Sequence, residues 1–316
     1  MTVHALVTQY VTVCQAAGMA FTSATQVLAM WCRAVGPDTP LAAIADAQLR
    51  TFLAGRGPVT HYWHRKQSVL RGFYRYAVTR GYIATLPPIL AARPPQAPPA
   101  CPPYVYTVPE IRRLLDATAR FATPQFRMAP STFRALLLVL YGTGLRIGEA
   151  LALTLADVDL AAAVLTVRDS KFYKTRLVPL GPDLLAAVRV YAAGRRARRW
   201  PQGAAAAFFV DRRGARLRVN NVQRAFGRLR ASAGVVRTDG ARQQPRLHDF
   251  RHTMAVHRLT AWYRTGADVQ HLLPSLATYL GHLDLAATQR YLTMTPELLQ
   301  EAARRFAAYA LPGGPR

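Results

Sequence analysis

Three short motifs in the second half of the sequence combine residue types that bind or attack phosphate groups. The first, residues 142–149 (GTGLRIGE), places an arginine directly after a glycine turn but lacks the Gly-Lys-Ser/Thr ending of a nucleotide-binding phosphate loop. In the second, His248 and Arg251 are three residues apart, which puts both on one face of a helix. The third places His282, after a glycine, nine residues before Tyr291. Each motif is weak evidence alone. In the third motif, for example, a single tyrosine is most often a packed or interfacial aromatic residue.

A metal site is the alternative interpretation of the histidine motif. His248 and His252 have the i, i+4 spacing of two ligands on one helix. The glutamate of an HExxH motif is missing, however, and no cysteine lies nearby in the sequence. We therefore expect no metal at these histidines.

The charge balance indicates the kind of partner. The chain has 316 residues, with 41 lysines and arginines against 16 aspartates and glutamates, a net charge of +25. This excess predicts a polyanionic partner, nucleic acid first and an anionic membrane second. The three cysteines include no CxxC pair, which indicates a reducing compartment. No apolar run reaches the roughly 18–20 residues of a membrane span, and no basic residue precedes Arg33, as it would in a secretory signal. These observations together predict a cytoplasmic protein.

Taken together and in order, these residues resemble a known family. Arg146, a lysine in a β-hairpin, His248-x-x-Arg251, Gly-His282 and Tyr291 are similar to the active-site set of the tyrosine recombinases, the phage-integrase and Xer-type family. The most specific segments are YGTGLRIGEALAL, RLVPLG, LHDFRHT and YLGHLDLAATQRY. The resemblance implies a mainly α-helical fold, with a helical N-terminal core-binding domain and an α-rich catalytic domain that contains a small antiparallel β-hairpin or sheet.

The resemblance also implies a role for each residue. Tyr291 attacks a DNA phosphodiester to form a 3′-phosphotyrosine and a free 5′-hydroxyl, and because the bond energy is retained, rejoining needs neither ATP nor another cofactor. Arg146 and Arg251 hold the phosphate oxygens with planar, permanently charged groups, where other nucleases use metal ions. His248 accepts the tyrosine proton or orients the phosphate, and His282 donates to a phosphate oxygen.

The leaving 5′-oxygen needs a proton, which an amine can supply and a guanidinium cannot. The chain has three lysines, Lys66, Lys171 and Lys174, and two of them lie in the hairpin. The resemblance places the acid at Lys171, and the spacing back from RLVPL favours it; Lys174 is the alternative acid and otherwise a DNA contact. Glu149 matches an acidic position that braces the site.

The sequence therefore predicts a site-specific recombinase or integrase acting on double-stranded DNA. The family acts as a dimer on one site and a tetramer on two paired sites, alone or with related recombinases. Integration, excision and resolution of a mobile element or replicon all fit. A type IB topoisomerase-like or telomere-resolving enzyme shares the chemistry, and differs in whether one duplex suffices. A non-catalytic DNA-binding protein is disfavoured by the complete set of six residues.

Apolar periodicity predicts helices in the first part of the chain at about 3–16, 23–34, 40–54 and 60–79. On the last of them, His64, Ser68, Arg71 and Arg75 share a face that we expect to lie along DNA, with a solvated face as the alternative. In the second part, the pattern predicts strands 164–167 and 176–180, a third strand at 208–210, and helices near 107–119, 131–142, 146–153, 182–198, 219–232, 247–265, 284–292 and 296–310.

Eight prolines between residues 87 and 103 predict the domain boundary, because such a segment is unsuited to helix interior or central strand. We expect a core DNA-binding domain at 1–86, an extended linker at 87–104 and the catalytic domain at 105–316.

Three segments of the second half depart from the family pattern or follow the site. The hairpin loop lacks the usual glycines, residues 266–280 contain Pro274, which predicts a broken helix before His282, and residues 233–246 form a polar loop. The tail helix 296–310 has an apolar stripe, which we expect to dock on a neighbouring protomer with Phe306 as anchor; packing on its own domain is the alternative.

Overall fold

The structure is a computed structural model, and the chain divides into two compact units, Met1–Ala100 and Cys101–Arg316. The fold is mainly α-helical, with one small antiparallel sheet in the second unit. Among the residues described, no helix is both long and apolar enough to cross a membrane. The structure describes residues 1–19, 21–54, 59–96, 101–121, 128–168, 175–198, 200–241, 243–282, 284–293 and 296–310.

The first unit is a group of helices around one apolar core. Hydroxyl side chains begin two of the helices: Thr2 accepts a hydrogen bond from the backbone N–H of Ala5, and Thr60 accepts one from that of Trp63. The core is centred on wholly buried side chains such as Trp31. The helices are α1 (Val3–Ala16), α2 (Thr22–Val35), α3 (Asp46–Ala54), α4 (His61–Thr79) and α5 (Pro88–Ala91), with a 3₁₀ turn at Leu41–Ala43.

The predicted helix at 40–54 is wrong as a single element, because the chain breaks at Ile44. The backbone of Ile44 is extended, with φ −78° and ψ 117°. The side chain of Gln48 then accepts a hydrogen bond from the backbone N–H of Ala45 at 3.0 Å, which begins α3 afresh.

The predicted extended linker is also wrong over its first residues. Pro88 lies in the first turn of α5, where its missing N–H costs nothing, and Leu90 is wholly buried. Side chains of α4 hold this short helix: Gln67 donates to the carbonyl of Ile89 at 3.3 Å, and Arg71 donates to the carbonyls of Leu90 and Ala92.

The second unit contains nine helices among its described residues, with the sheet between the third and the fourth. The predicted capping box at its start is confirmed: Thr107 and Glu110 exchange hydrogen bonds at 3.3 and 2.8 Å. The helices are α6 (Val108–Arg120), α7 (Pro130–Thr143), α8 (Ile147–Ala152), α9 (Pro182–Ala197), α10 (Val219–Ser232), α11 (Asp249–Arg264), α12 (Val269–Leu280), α13 (Ala286–Gln289) and α14 (Pro296–Ala310), with 3₁₀ turns at Leu155–Asp157 and Arg290–Thr293.

The sheet has the order β1 (Val158–Asp159), β2 (Val164–Val167) and β3 (Arg176–Pro179), all antiparallel. Val167 pairs with Arg176, so the predicted hairpin is confirmed. The predicted strand at 208–210 is wrong. Ala207 and Val210 form only isolated antiparallel bridges, to Thr154 and Arg216, and the carbonyl of Phe208 between them accepts hydrogen bonds from the side chains of Tyr191 and Arg195.

A separate apolar cluster, here called the C-terminal cluster, joins α11, α12, the turn Arg290–Thr293 and α14. Its buried members are Met254, Ala255, Val256, Leu259, Val269, Leu273, Leu276, Leu280, Tyr291 and Leu298. Helix α12 continues through Pro274, so the predicted break is wrong. A proline inside a helix removes a backbone hydrogen bond and its ring clashes with the preceding turn, at a total cost of about 3 kcal/mol. Burial of Leu273, Leu276 and Leu280 on both sides of the proline, each worth about 1.5–3 kcal/mol, offsets that cost.

The tail helix α14 packs on its own unit at its N-terminal end. Leu298 is wholly buried in the C-terminal cluster, and the carboxylate of Glu301 accepts a hydrogen bond from Arg264 of α11 at 3.0 Å. Phe306 and Leu299 are 70% and 49% exposed. The stripe is thus divided, and docking of its exposed part on another protomer stays a prediction.

The polar loop at 233–246 attaches to the first residues of the second unit. Arg237 donates to the carboxylate of Asp239 at 2.7 Å and to the carbonyl of Pro102 at 2.9 Å. Gln244 accepts hydrogen bonds from the backbone of Arg237 and from Arg230. The loop therefore fixes where the chain enters the second unit.

Candidate active site

The turn between α7 and α8 presents Arg146. Gly144 ends α7 in the left-handed conformation (φ 63°), and Arg146 then lies immediately before α8. Glu149, in the first turn of α8, accepts hydrogen bonds from the backbone N–H of Arg146 at 3.0 Å and from its Nη1 at 2.8 Å. The carboxylate therefore fixes both the backbone and the guanidinium of Arg146.

A second arginine shares the Glu149 carboxylate. Arg176, on β3, donates from Nη2 to Oε2 of Glu149 at 2.8 Å. Burial alone would raise the pKa of Glu149, but the hydrogen bonds and charges of Arg176 and Arg146 outweigh it and hold this pKa below its ordinary value. Sequence reasoning missed Arg176, although it is the first residue of the RLVPLG segment.

Arg251 is deeply buried near the start of α11. Its Nη1 donates to the carbonyl of Gly144 at 2.8 Å and its Nη2 to the carbonyl of Leu280 at 2.6 Å. Burial, followed by the repulsion of Arg146, lowers the pKa of Arg251 to about 10, so the group is charged at neutral pH. Arg251 thus ties together the two turns that carry Arg146 and His282.

Two histidines at the start of α11 lie in a row from the surface towards the tyrosine: His248 directly precedes the helix and His252 lies in its first turn. The rings of His248 and His252 meet edge to face, with centroids 5.0 Å apart. His248 is exposed, yet desolvation of its ring and the charge of Arg251 lower its pKa below the ordinary value. His252 is buried, and its ring centroid lies 5.6 Å from that of Tyr291. The spacing of four residues from His248 was the signal that could have assigned His252 to the site.

His282 follows the C-terminal end of α12. Gly281 ends the helix with φ 69°, and the backbone N–H of His282 then donates to the carbonyl of Ala277 at 2.9 Å. The Nδ1 of His282 and the hydroxyl of Thr288 are hydrogen-bonded at 2.6 Å, which fixes the ring. The ring stacks on Tyr291, with centroids 5.9 Å apart and planes at 25°.

Tyr291 lies on the 3₁₀ turn Arg290–Thr293. The helix predicted at 284–292 is shorter in the structure, where α13 spans Ala286–Gln289. The side chain of Tyr291 is wholly buried in the C-terminal cluster, between the rings of His252 and His282. Tyr291 raises the pKa of Arg251 and so opposes part of the effect of burial on that guanidinium. The structure therefore brings together Arg146, Glu149, His248, Arg251, His282 and Tyr291.

The remaining predicted residues either are not among the described residues or belong to the first unit. Lys171 and Lys174 lie outside the described residues, as does the whole hairpin segment 169–174. In the first unit, Ser68 and Arg75 are exposed. Arg71 donates instead to carbonyls at the end of α5, and the Nε2 atom of His64 is buried, so the four residues do not form one exposed face.

This combination of a helical unit, a small three-stranded sheet and a tyrosine among histidines and arginines defines a class of DNA-processing enzymes. Residues 105–297 match the Phage integrase family. The chain therefore belongs to the phage integrase family and is a tyrosine-type site-specific recombinase, an enzyme that cleaves and rejoins DNA.

Individual relatives agree with this assignment. The chain is 40% identical over 248 residues to y4rB of Sinorhizobium fredii, which is named as an integrase/recombinase, and the match covers 77% of each chain. It is 31% identical over 245 residues to the tyrosine recombinase XerC of Pelotomaculum thermopropionicum, covering 76% of this chain and 73% of the relative.

Solved structures share the fold at low sequence identity. A lambda integrase dimer bound to a core site aligns with a TM-score of 0.63 at 20% identity, covering 91% of this chain and 97% of that one. The Tn1549 transposon integrase in complex with a circular intermediate DNA aligns with a TM-score of 0.67 at 17% identity, covering 97% and 100%.

Proposed function

We propose that Tyr291 is the nucleophile of a DNA strand-exchange reaction. Its phenolic oxygen forms a bond to the scissile phosphorus while the bond from phosphorus to the 5′-oxygen breaks, which gives a 3′-phosphotyrosine and a 5′-hydroxyl. Attack by a 5′-hydroxyl from another strand reverses the step and rejoins the DNA. The observation that carries this assignment is the position of Tyr291 beside two histidine rings, with centroids 5.6 and 5.9 Å away.

Arg146 and Arg251 hold the non-bridging phosphate oxygens in this proposal. Phosphoryl transfer depends mainly on positioning and on stabilising the charge of these oxygens. Arg251 is held by two carbonyls and Arg146 by Glu149, so both guanidinium groups are oriented before DNA arrives. His248 accepts the tyrosine proton or orients the phosphate, His282 donates to a phosphate oxygen, and Lys171, or alternatively Lys174, protonates the leaving oxygen.

Tyr291 must become exposed for this reaction, because a wholly buried hydroxyl cannot touch a phosphodiester. The turn that carries it is only four residues long. We therefore propose that DNA binding shifts the turn Arg290–Thr293 and brings the phenol to the surface.

A groove beside α10 supports DNA as the substrate. It has a volume of about 670 Å³ and is lined by four arginines. Arg216 donates to the carbonyls of Leu151 and Ala152, while Arg218, Arg224 and Arg228 are exposed. Exposed guanidinium groups at this density bind backbone phosphates.

We propose a biological role in the integration, excision or resolution of a mobile element or replicon in the cytoplasm. Lambda integrase has been seen as a dimer on a core site and as a tetramer on a Holliday junction. By this likeness, the chain acts on double-stranded DNA as a dimer on one site and a tetramer on two, alone or with a related recombinase. A type IB topoisomerase-like or telomere-resolving enzyme is distinguished by activity on a single duplex.

The experiment that tests this function is trapping of covalent adducts on DNA from the genomic neighbourhood of the coding sequence. We expect adducts whose DNA is attached at Tyr291, formed equally well in excess EDTA, and sequencing of the trapped DNA then maps the cleavage position. Adducts at Tyr263 or Tyr279, or activity that requires an added divalent metal, would contradict the proposal.

A further inference from the structure

Arg176 is the residue at which three parts of the site meet. It begins β3 and pairs with Val167 across the hairpin, so its backbone belongs to the element whose loop contains Lys171. Its side chain, only 9% exposed, extends away from the sheet to α8 and to the end of α12. One side chain therefore connects the hairpin with the elements that present Arg146 and His282.

The contact with α8 is an ion pair through both nitrogens of the guanidinium fork. Nη2 donates to Oε2 of Glu149 at 2.8 Å and Nη1 to Oε1 at 3.3 Å. Arg146 donates to the same two oxygens, from its backbone N–H and its Nη1. The carboxylate is thus shared between two arginines.

This sharing changes the charge available to a phosphate. A carboxylate paired with Arg146 alone would neutralise it, whereas two guanidinium groups around one carboxylate leave a net positive charge. Arg146 is 35% exposed and Arg176 is buried, so the surplus charge is presented at Arg146. Arg176 therefore keeps Arg146 oriented without cancelling its attraction for an anion.

The contact with α12 is made by the other edge of the guanidinium. Nε of Arg176 donates to the carbonyl of Tyr279 at 3.1 Å, while Arg251 holds the next carbonyl, that of Leu280. A Cβ atom on Gly281 would lie 2.7 Å from Nη1 of Arg176, so the guanidinium packs directly against the turn. His282 follows that turn immediately, and its backbone position depends on this packing.

We infer that Arg176 is a positioning residue for strand cleavage. It fixes the orientation of the Arg146 guanidinium through Glu149 and the backbone position of His282 through the Tyr279–Gly281 turn. This inference rests on the proposed function of the site. A lysine could keep the charge beside Glu149, but its single nitrogen cannot reproduce the three fixed directions in which Arg176 donates to both carboxylate oxygens and to the Tyr279 carbonyl.

The test compares Arg176→Gln and Arg176→Lys with a matched control, Arg195→Lys. Arg195 is 1% exposed and donates to the carbonyls of Pro201, Ala207 and Phe208, so it is a buried arginine that contacts no residue of the site. The probe is a duplex containing the cleavage position mapped by adduct sequencing with the wild-type chain. For each variant, the thermal midpoint, the affinity for this duplex and the rate of adduct formation per bound complex are measured across pH.

We expect Arg176→Gln to slow adduct formation per bound complex between about 10- and 100-fold, with affinity changed by less than about 3-fold. As the pH is lowered, this variant is expected to lose activity at a higher pH than the wild type does. Without Arg176, the pKa of Glu149 rises and the carboxylate becomes protonated sooner. Arg176→Lys should restore the acid-side profile but only part of the rate. Arg195→Lys should lower the thermal midpoint alone.

The inference is overturned if Arg176→Gln lowers the thermal midpoint as Arg195→Lys does while its rate per bound complex and its pH profile match the wild type. The proposed function is tested separately, with the wild-type chain. If this chain forms no adduct, or forms one at a residue other than Tyr291, both the proposed function and this inference are refuted.

Discussion

At the residue scale, the hydroxyl of Tyr291 is the group on which the proposed chemistry depends. Tyr291→Phe removes one oxygen and keeps the ring that packs between His252 and His282. We expect covalent adducts to disappear while affinity for DNA changes by less than about 3-fold and the thermal midpoint by only a few degrees. Gel-based adduct assays, binding titrations and thermal unfolding measure the three quantities, and residual adducts in this variant would show that another nucleophile acts.

The pKa of Glu149 predicts how stability depends on pH. Its pKa is lower in the folded state than the ordinary value of 4.5, so the charged carboxylate stabilises the fold above that pH, and the stabilisation is lost as pH falls through the folded-state pKa. Glu149→Gln should therefore lower the free energy of unfolding by about 3 kcal/mol at neutral pH. This difference should shrink in acid.

Urea unfolding at several pH values checks this expectation. The control is Asp116→Asn, which removes an exposed carboxylate lying 4.0 Å from Arg134 and should change the free energy of unfolding by less than about 1 kcal/mol at every pH. An effect of Glu149→Gln that is the same at pH 3 and pH 7 would mean that packing, not charge, connects this residue to stability.

The sequence predicted the site residues whose type indicates their chemistry and, through the family resemblance, the bracing residue Glu149, but it missed Arg176. Arg146, His248, Arg251 and Tyr291 were found because their order resembles a family. Arg176 was not, because an arginine on a strand is usually exposed, and its partners lie 27 and 103 residues away in the chain. Contacts across such separations follow from tertiary packing, and the periodicity of apolar residues along the sequence does not predict them.

At the element scale, the tail helix α14 has two kinds of leucine side by side. Leu298 is wholly buried in the C-terminal cluster and Leu299 is 49% exposed. Leu298→Ala should lower the free energy of unfolding by about 2–5 kcal/mol, whereas Leu299→Ala should change it by less than about 1 kcal/mol. Denaturant titrations of the pair check this, and equal effects would contradict packing of α14 on its own unit.

Elements with strong local signals were predictable, and those governed by neighbours were not. Thr107 and Glu110 specify a helix start within four residues, so the beginning of α6 followed from the sequence. The short helix α5 depends on Arg71 and Gln67 of the preceding helix α4, which contact it across 21 and 22 residues of chain. Residues 208–210 have the composition of a strand, but side-chain donors occupy the carbonyl that a strand would offer.

At the scale of the whole molecule, the net charge of +25 predicts a steep dependence of DNA affinity on salt. Each phosphate bound by a basic side chain contributes about −0.9 to the slope of log K against log salt concentration, and we expect a slope steeper than about −5. Replacing Arg218, Arg224 and Arg228 by glutamine should make the slope less steep by about 0.9 for each phosphate that these arginines neutralise in the wild type.

Fluorescence titrations at several salt concentrations measure these slopes. Arg134→Gln, a half-exposed arginine of α7 outside the groove beside α10, is the control and should leave the slope unchanged. A triple variant with the slope of the wild type would mean that the groove does not bind phosphates.

The burial of Tyr291 has a consequence for how such an enzyme can be stored. With its phenol inside the C-terminal cluster, the protein away from DNA would not offer its proposed nucleophile to stray phosphates. Under the proposed function, a cell would then hold the protein in excess over its sites without a matching excess of nicked DNA. If opening of the Arg290–Thr293 turn is slower than the chemistry, the pace of recombination is set by that turn. A substitution that loosens the turn would then produce a faster enzyme that also cleaves DNA at sites not paired with a second duplex.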